Sequence, residues 1–222
     1  MAIKYKEINP NNWNRYSAYK WFSTFSNPTY GFNVKIDVTN IVKYSKKTKT
    51  SFFINFMYVV NRSLNEIEPF RLRIVKDKIR LYEYIDPTWT VRVEHLDTFD
   101  NARGKYFKEY DKYYKYNKEI TEKMKKQSEI KKSYNDGEDY SDYYITCIPW
   151  LSYLSMSHPI PDNDSSSSSV PRICWDKYIE EKGRYNLILN ITVSHALVDG
   201  KSLSDAFNLI QEYTNDFENI IK

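Results

Sequence analysis

His195 and Asp199, in the segment Ile191-Thr-Val-Ser-His195-Ala-Leu-Val-Asp199-Gly200, are the residues of this chain best suited to chemistry. An imidazole titrates near neutral pH, so a histidine within hydrogen-bond reach of an alcohol can take its proton and make it a nucleophile. The run before it, Tyr185 to Val193, is rich in β-branched and aromatic residues and predicts a strand ending at the histidine. Asp199-Gly200 reads as a turn, and a helix is expected from Ser202. His195 is therefore placed on a rigid rim. Taken alone, the pattern leaves two readings open: a catalytic base, or a structural histidine beside an ordinary Asp-Gly turn. Asp199 by itself also fits the carboxylate of a triad that orients a histidine.

The elements that must position this rim alternate between the two periods. Helical spacing is expected over 12–25, with Trp13, Tyr16, Trp21 and Phe22 as the apolar stripe, and over 51–64, with Ser51 as its cap. A long charged helix is expected from Arg103 to about Lys132, and a closing helix over 202–217. Strands are expected over 32–38, 70–75, 79–84, 88–94, 143–148, 151–157, 172–178 and 185–194; the three in the middle read as an antiparallel meander. Tyr134 to Asp139 reads as a turn. The polar run 162–170 reads as a mobile excursion with no chemistry.

At 222 residues, with no Pro- or Gly-rich linker, residues 1–222 are expected to form a single domain. No apolar stretch approaches the roughly 20 residues that span a bilayer, and the N-terminus lacks a secretion signal, so a cytoplasmic protein with no membrane partner is expected. The net charge of +4 is modest and its basic residues are interspersed with acidic ones, so nucleic acid is not implied. The lysine- and tyrosine-rich helix is read as a solvated face. Cys147 and Cys174 lie in apolar, strand-like contexts and are expected to be buried thiols, with neither a disulfide nor a metal. His95 and His158 are given core or surface roles.

The His-x-x-x-Asp-Gly segment resembles the active-site motif of chloramphenicol acetyltransferases and, more distantly, that of the dihydrolipoamide acyltransferase cores. Asn12-Trp13-Asn14-Arg15 resembles the family's Trp-x-Arg, and Pro28-Thr29-Tyr30 with Lys35-Ile36-Asp37-Val38-Thr39 its first strand. Pro69 to Arg73 and Thr90 to Phe99 resemble its middle, Ile148-Pro149-Trp150 its Pro-Trp segment, and Cys174 to Tyr178 its Lys-Tyr strand. The blocks follow the family's order over nearly the whole chain. No lipoyl-type segment or linker is expected ahead of them, which sets the lipoyl-acyltransferase reading behind.

The resemblance implies an α/β (α+β two-layer) sandwich, a large mixed β-sheet covered by helices, assembled as a homotrimer with active sites between subunits. It implies an acetyl-CoA-dependent O-acetyltransferase that modifies chloramphenicol and confers resistance, with acetyl-CoA as cosubstrate and no metal. In that scheme His195 is the general base and Ser155 matches the serine that donates to the tetrahedral oxyanion. Asp199 matches an aspartate that pairs with the arginine corresponding to Arg15, holding the histidine loop in shape, in place of the triad role. Tyr30 and Phe99 fall at positions lining the acceptor pocket, Cys174 where a threonine holds a water, and Lys177 and Tyr178 near coenzyme A.

The chain departs from the family pattern at Ser194, Val198, Lys201, Pro28 and Cys174. Those changes keep two further readings open: a relative that acylates another small hydroxyl or amine acceptor, and a catalytically weak binder of an apolar ligand.

Overall fold

The computed structural model describes residues 3–130 and 139–222. The chain opens with β1 (Tyr5–Ile8), a 3-10 turn over Pro10–Asn12 and the helix α1 (Tyr16–Phe22). The helix expected over 12–25 is shorter because Asn9 caps the 3-10 turn, Trp13 is extended and the α-helical turns begin only after Arg15. No residue of α1 is fully buried, and Trp21, placed in the apolar stripe, is 64% exposed. Next come β2 (Thr29–Asp37), α2 (Thr39–Thr48) and α3 (Phe52–Glu66). Ser51 caps α3 as expected, its hydroxyl accepting from the Ile54 N–H.

After a 3-10 turn follow β3 (Leu72–Val75), β4 (Lys78–Tyr82), β5 (Asp86–Arg92), β6 (Phe99–Arg103) and α4 (Tyr110–Lys125). The chain closes with β7 (Asp142–Ile148), α5 (Ser165–Ser168), β8 (Arg172–Asp176), β9 (Ile179–Glu181), β10 (Arg184–Ser194), α6 (Gly200–Asn215) and α7 (Phe217–Ile220).

Two sheets form among the described residues. A 3-stranded sheet runs β1-β4-β3, and a 7-stranded sheet runs β2-β10-β8-β7-β5-β6 with β9 on the end of β10. The larger sheet is mixed: β5, β7 and β8 are mutually parallel, and the pairings of β10 and of β6 are antiparallel. The expected three-strand meander is therefore divided: β3 and β4 make a hairpin against β1, while β5 crosses into the main sheet beside β6 and β7. Tertiary pairing decided this, because β4 and β5 have the same local alternation.

One face of the main sheet is covered by helices. Trp89, Ile145, Ile173, Trp175, Leu189 and Ile191 point into it, and Phe53 and Phe56 of α3 meet the Trp175 ring at 5.3 and 5.1 Å. This is the expected two-layer α/β sandwich, with its core between sheet and helices.

Two further expectations are corrected. Residues 151–157 form no strand; the segment crosses the helix-free face of the sheet, held by Asp176, which accepts from Ser152 Oγ and the Tyr153 N–H. The serine run is not an excursion. Asp164 caps a short helix, Ser167, Ser168 and Ser169 are buried, and the Arg172 guanidinium donates to Ser167 O and Oγ. Buried hydroxyls are tolerated there because they have these partners. β1, α2, β6 and β9 were not among the expected elements, although α2 buries Ile41 and Val42 on one side, and the long helix spans Tyr110–Lys125 in place of 103–132. Residues 131–138, with most of the Tyr134 to Asp139 turn, lie outside the described residues.

Candidate active site

β10 and β2 pair from Asn186↔Asp37 to Ser194↔Thr29, and the ladder ends with the His195 N–H donating to Pro28 O at 2.8 Å. Gly31 permits this close pairing, since a Cβ there would lie 2.5 Å from Ile191 O. Beyond the strand, the N–H groups of Leu197 and Val198 both return to Ser194 O, which folds the histidine turn tightly.

The imidazole of His195 is sandwiched between two rings. Phe22 lies 4.0 Å away at 9°, and Tyr30 lies 4.5 Å away at 29° on a second face. Tyr30 is itself anchored through its hydroxyl to Val198 O at 3.3 Å. Burial, with Asp199 adding to it, pushes the Tyr30 hydroxyl up to about 12, so it stays a neutral donor. Among the described residues Nδ1 of His195 is buried with no hydrogen-bond partner, whereas Nε2 makes no hydrogen bond and is not one of the buried unpartnered atoms, which leaves it accessible. Nε2 is thus the nitrogen open to a reactant.

Asp199 caps α6, accepting from the Ser202 N–H at 2.8 Å, and its other carboxylate oxygen pairs with Arg15. Burial works against its charge, but Ser202 and the Arg15 guanidinium outweigh it and hold the carboxyl down at about 2. Both carboxylate oxygens are thereby engaged.

The structure brings His195, Asp199, Arg15 and Tyr30 together and leaves the other candidates elsewhere. Cys174 lies in register with Asn190, five positions before His195 along β10, about 17 Å at the strand rise. Burial pushes its thiol up. Phe99 sits on β6, the far edge of the sheet, 51% exposed. Ser155 is exposed on the irregular crossing segment beside Leu154, which is 90% exposed. Lys177 is exposed just past β8, and Tyr178 packs edge-on to Phe52 and Tyr185, at the opposite end of β10 from His195.

Two residues escaped the sequence reading. Phe22 belonged to the apolar stripe expected of the helix over 12–25 and was given no role beside the histidine. Thr146 on β7 stands in register with Cys174, and its hydroxyl lies 2.9 Å from that of Thr90. Its position became visible only through the register of β7 against β8.

Among the described residues no group of three or more His, Cys, Asp or Glu gathers as a metal site, Cys147 and Cys174 are free, and no helix is long and apolar enough to cross a membrane.

The sheet, the crossing segment and the histidine at the strand end define a fold shared with solved acetyltransferases. A chloramphenicol acetyltransferase structure superposes with a TM-score of 0.87 at 24% identity, covering 95% of this chain and 100% of that one. A probable dihydrolipoamide acetyltransferase from Listeria monocytogenes gives 0.62 at 14% identity, covering 95% and 94%. A chloramphenicol acetyltransferase of Escherichia coli is 21% identical over 96% of this chain and 95% of its own length, and one of Clostridium perfringens 22% identical over 97% of each. The family profile described as chloramphenicol acetyltransferase matches residues 3–211. The chain belongs to the chloramphenicol acetyltransferase family.

Proposed function

We propose that this protein is an acetyl-CoA-dependent O-acetyltransferase that acetylates a hydroxyl of chloramphenicol in the cytoplasm and so confers resistance. The observation that carries the reading is the His195 imidazole, stacked between Phe22 and Tyr30 with Nε2 open, in a turn clamped by Arg15 and Asp199. A merely structural histidine has no need of an accessible, unbonded ring nitrogen.

His195 Nε2 takes the proton of the acceptor hydroxyl as that oxygen attacks the thioester carbonyl. The carbonyl becomes a tetrahedral oxyanion, which requires a donor placed where the charge develops. Ser155 was the sequence candidate for that donor. Ser155 stands on the irregular segment that crosses the sheet, and its exposure in a single chain fits a donor in a site completed by a neighbouring subunit. As the intermediate collapses, the His195 imidazolium returns its proton to the departing thiolate sulfur.

Acetyl-CoA as cosubstrate suits the cluster at the other end of β10. Tyr178, Tyr185 and Phe52 offer aromatic surface to an adenine, with Lys46 over the Tyr185 ring and Lys177 exposed nearby to meet phosphate. Within one chain His195 and the face bearing Cys174, Thr146 and Phe99 are apart, which fits a homotrimer whose sites are completed by a neighbouring subunit. Tyr30 and Phe99 then line the acceptor pocket from two subunits.

A second reading, a different small hydroxyl or amine acceptor, is favoured by one observation. Asn101, Thr90, Thr146, Cys174, Asn190 and Asn33 form a row across the helix-free face with no aliphatic side chain in it. Such a row suits a hydrogen-bonding acceptor.

The test is thiol release from acetyl-CoA with and without chloramphenicol, for the purified protein and for His195→Ala. Chloramphenicol-dependent release that the variant loses supports the first reading. Release only with other alcohols or amines moves the assignment to the second, and none with any acceptor ends both. Sedimentation at three times the 26.7 kDa chain mass checks the trimer.

A further inference from the structure

The carboxylate of Asp176, at the end of β8, is buried at 2% exposure and joins three pieces of the chain. Its Oδ2 accepts from Ser152 Oγ at 2.7 Å and from the Tyr153 N–H at 3.1 Å, and its Oδ1 accepts from the Ile188 N–H at 2.8 Å. The β8–β10 ladder ends at Leu189↔Trp175, and the Ile188 N–H just beyond it goes to this side chain. Tyr153 closes the ring, its hydroxyl donating to Ile188 O at 3.4 Å. A backbone bond from the Lys177 N–H to Leu151 O supports the same junction.

Residues 151–157 have no strand ladder, so bonds of this kind decide where the segment lies. A second grip follows at Met156, whose N–H donates to Asn33 Oδ1 at 3.3 Å. Leu154 and Ser155 are the two residues between the grips, and both are exposed. The place of the Ser155 hydroxyl is thereby set by Tyr153 on one side and Met156 on the other. An oxyanion donor is effective only where the charge develops, so an irregular segment that carries one needs a bonded support beneath it. A carboxylate suits that task because its two oxygens accept from all three donors together; an amide offers one oxygen and turns its NH2 toward the remaining donors.

We propose that Asp176 is a positioning residue that fixes Ser155 by gripping the crossing segment two residues ahead of it, at the Tyr153 amide. The inference rests on the reading of Ser155 as the oxyanion donor of a site completed by a neighbouring subunit. Asp176 itself touches neither substrate. It acts through the short stretch of backbone from Tyr153 to Ser155.

The experiment compares Ser155→Ala, Asp176→Asn, Ser152→Ala, Ser152→Thr and the double Asp176→Asn/Ser155→Ala by steady-state thiol release, using the acceptor that supports the fastest turnover, with a melting curve for each. Ser155→Ala is expected to lower kcat about 100-fold, the scale of a lost oxyanion donor. Asp176→Asn lowers kcat about tenfold with KM for both substrates little changed, as for a displaced donor. Hydrogen exchange shows its Tyr153 amide losing protection while the Met156 amide, held by Asn33, keeps it. Ser152→Ala leaves the buried carboxylate in place and removes one of its two bonds to the segment, so kcat falls about threefold at an unchanged melting temperature. Ser152→Thr restores most of that loss, because it returns the hydroxyl. The double variant is no slower than Ser155→Ala alone, since Asp176 acts only through Ser155.

Wild-type kcat in Asp176→Asn, a loss confined to KM, or losses that multiply in the double variant would each overturn the role of Asp176. Should Asp176→Asn fail to fold, Ser152→Ala decides, and wild-type kcat there overturns the role as well. An impaired Ser155→Ala beside an unaffected Asp176→Asn overturns that role alone. Wild-type turnover in Ser155→Ala, or no His195-dependent thiol release with any acceptor, removes the underlying reading and this inference with it.

Discussion

Arg15, just ahead of α1, and Asp199, just ahead of α6, form an ion pair across 184 positions of the chain. The same carboxylate caps α6 through the Ser202 N–H, so one side chain joins the N-terminal segment, the histidine turn and the last long helix. Asp199→Ala loses the cap, about 1 kcal/mol, and a half-exposed ion pair that adds no more than about 1. For a chain of this size that predicts a melting point lower by about 3–6 °C, measurable by calorimetry. Arg15→Ala loses only the pair and should fall by about half as much. Because the folded carboxyl titrates near 2, below its ordinary value of 3.8, this stabilisation is present above about pH 4 and lost as pH falls through 2.

Phe22 against His195 predicts a different separation of effects. α1 has no fully buried residue, so Phe22→Ala should remove only about 1 kcal/mol of stability. The imidazole loses one wall of its stack, and small misplacement of a base is expensive in rate. Steady-state kinetics should show kcat down about tenfold with KM for both substrates little changed, and Phe22→Tyr close to wild type. A loss confined to KM would make Phe22 part of a substrate pocket and not a support for the ring.

The histidine turn was legible because its signals are local: a β-branched run, a histidine, Asp-Gly and a helical stripe from Leu203 to Tyr213. Ser51 as a cap was legible for the same reason. The partition of β3, β4 and β5 between two sheets was not, since alternation reports which face is buried and not which strand is adjacent. The serine run misled because its composition matches a solvated loop, whereas Arg172, from beyond the run, supplies the donors that let Ser167 be buried. Thr146 was missed for a related reason. On its own strand it is one polar residue among several, and only its register with Cys174 and Thr90 sets it apart.

Asp86 should make stability fall as pH rises through mild acid. Burial, reinforced by Asp142 alongside it in register, raises its carboxyl from 3.8 to about 6 despite the Tyr106 N–H, Lys105 and Arg103. The native state therefore binds a proton between about pH 4 and 6 that the unfolded chain has released, and stability contributed by that proton is lost as pH rises through 6. Asp86→Asn keeps an oxygen to accept from Tyr106 and carries no charge. Denaturant curves should show the variant more stable than wild type by about 1–2 kcal/mol at pH 7, with the difference vanishing near pH 4. Equal pH dependence in the two proteins would rule out Asp86 as the titrating group.

His158 works in the opposite direction and bears on the helix-free face. Burial holds its imidazole down at about 4, and nearby Arg172 adds to this, against the Asn190 side chain that bonds Nε2 at 3.1 Å. Between about pH 6.5 and 4 the unfolded chain takes up a proton that the native one refuses, so stability falls as pH drops through that window. His158→Gln retains a side-chain partner for Asn190 and does not titrate, so the fall from pH 7 to pH 5 should shrink by about 1–2 kcal/mol. The strain is local: Met156 donates to Asn33, and Asn190 also donates to Asn33 Oδ1, so protonating His158 pulls on the bonds that hold residues 152–158 across the sheet. Hydrogen exchange, corrected for the intrinsic pH dependence, should therefore show the Met156 amide losing protection at pH 5 in wild type and keeping it in His158→Gln. Equal protection in both would place the acid-sensitive group elsewhere on this face.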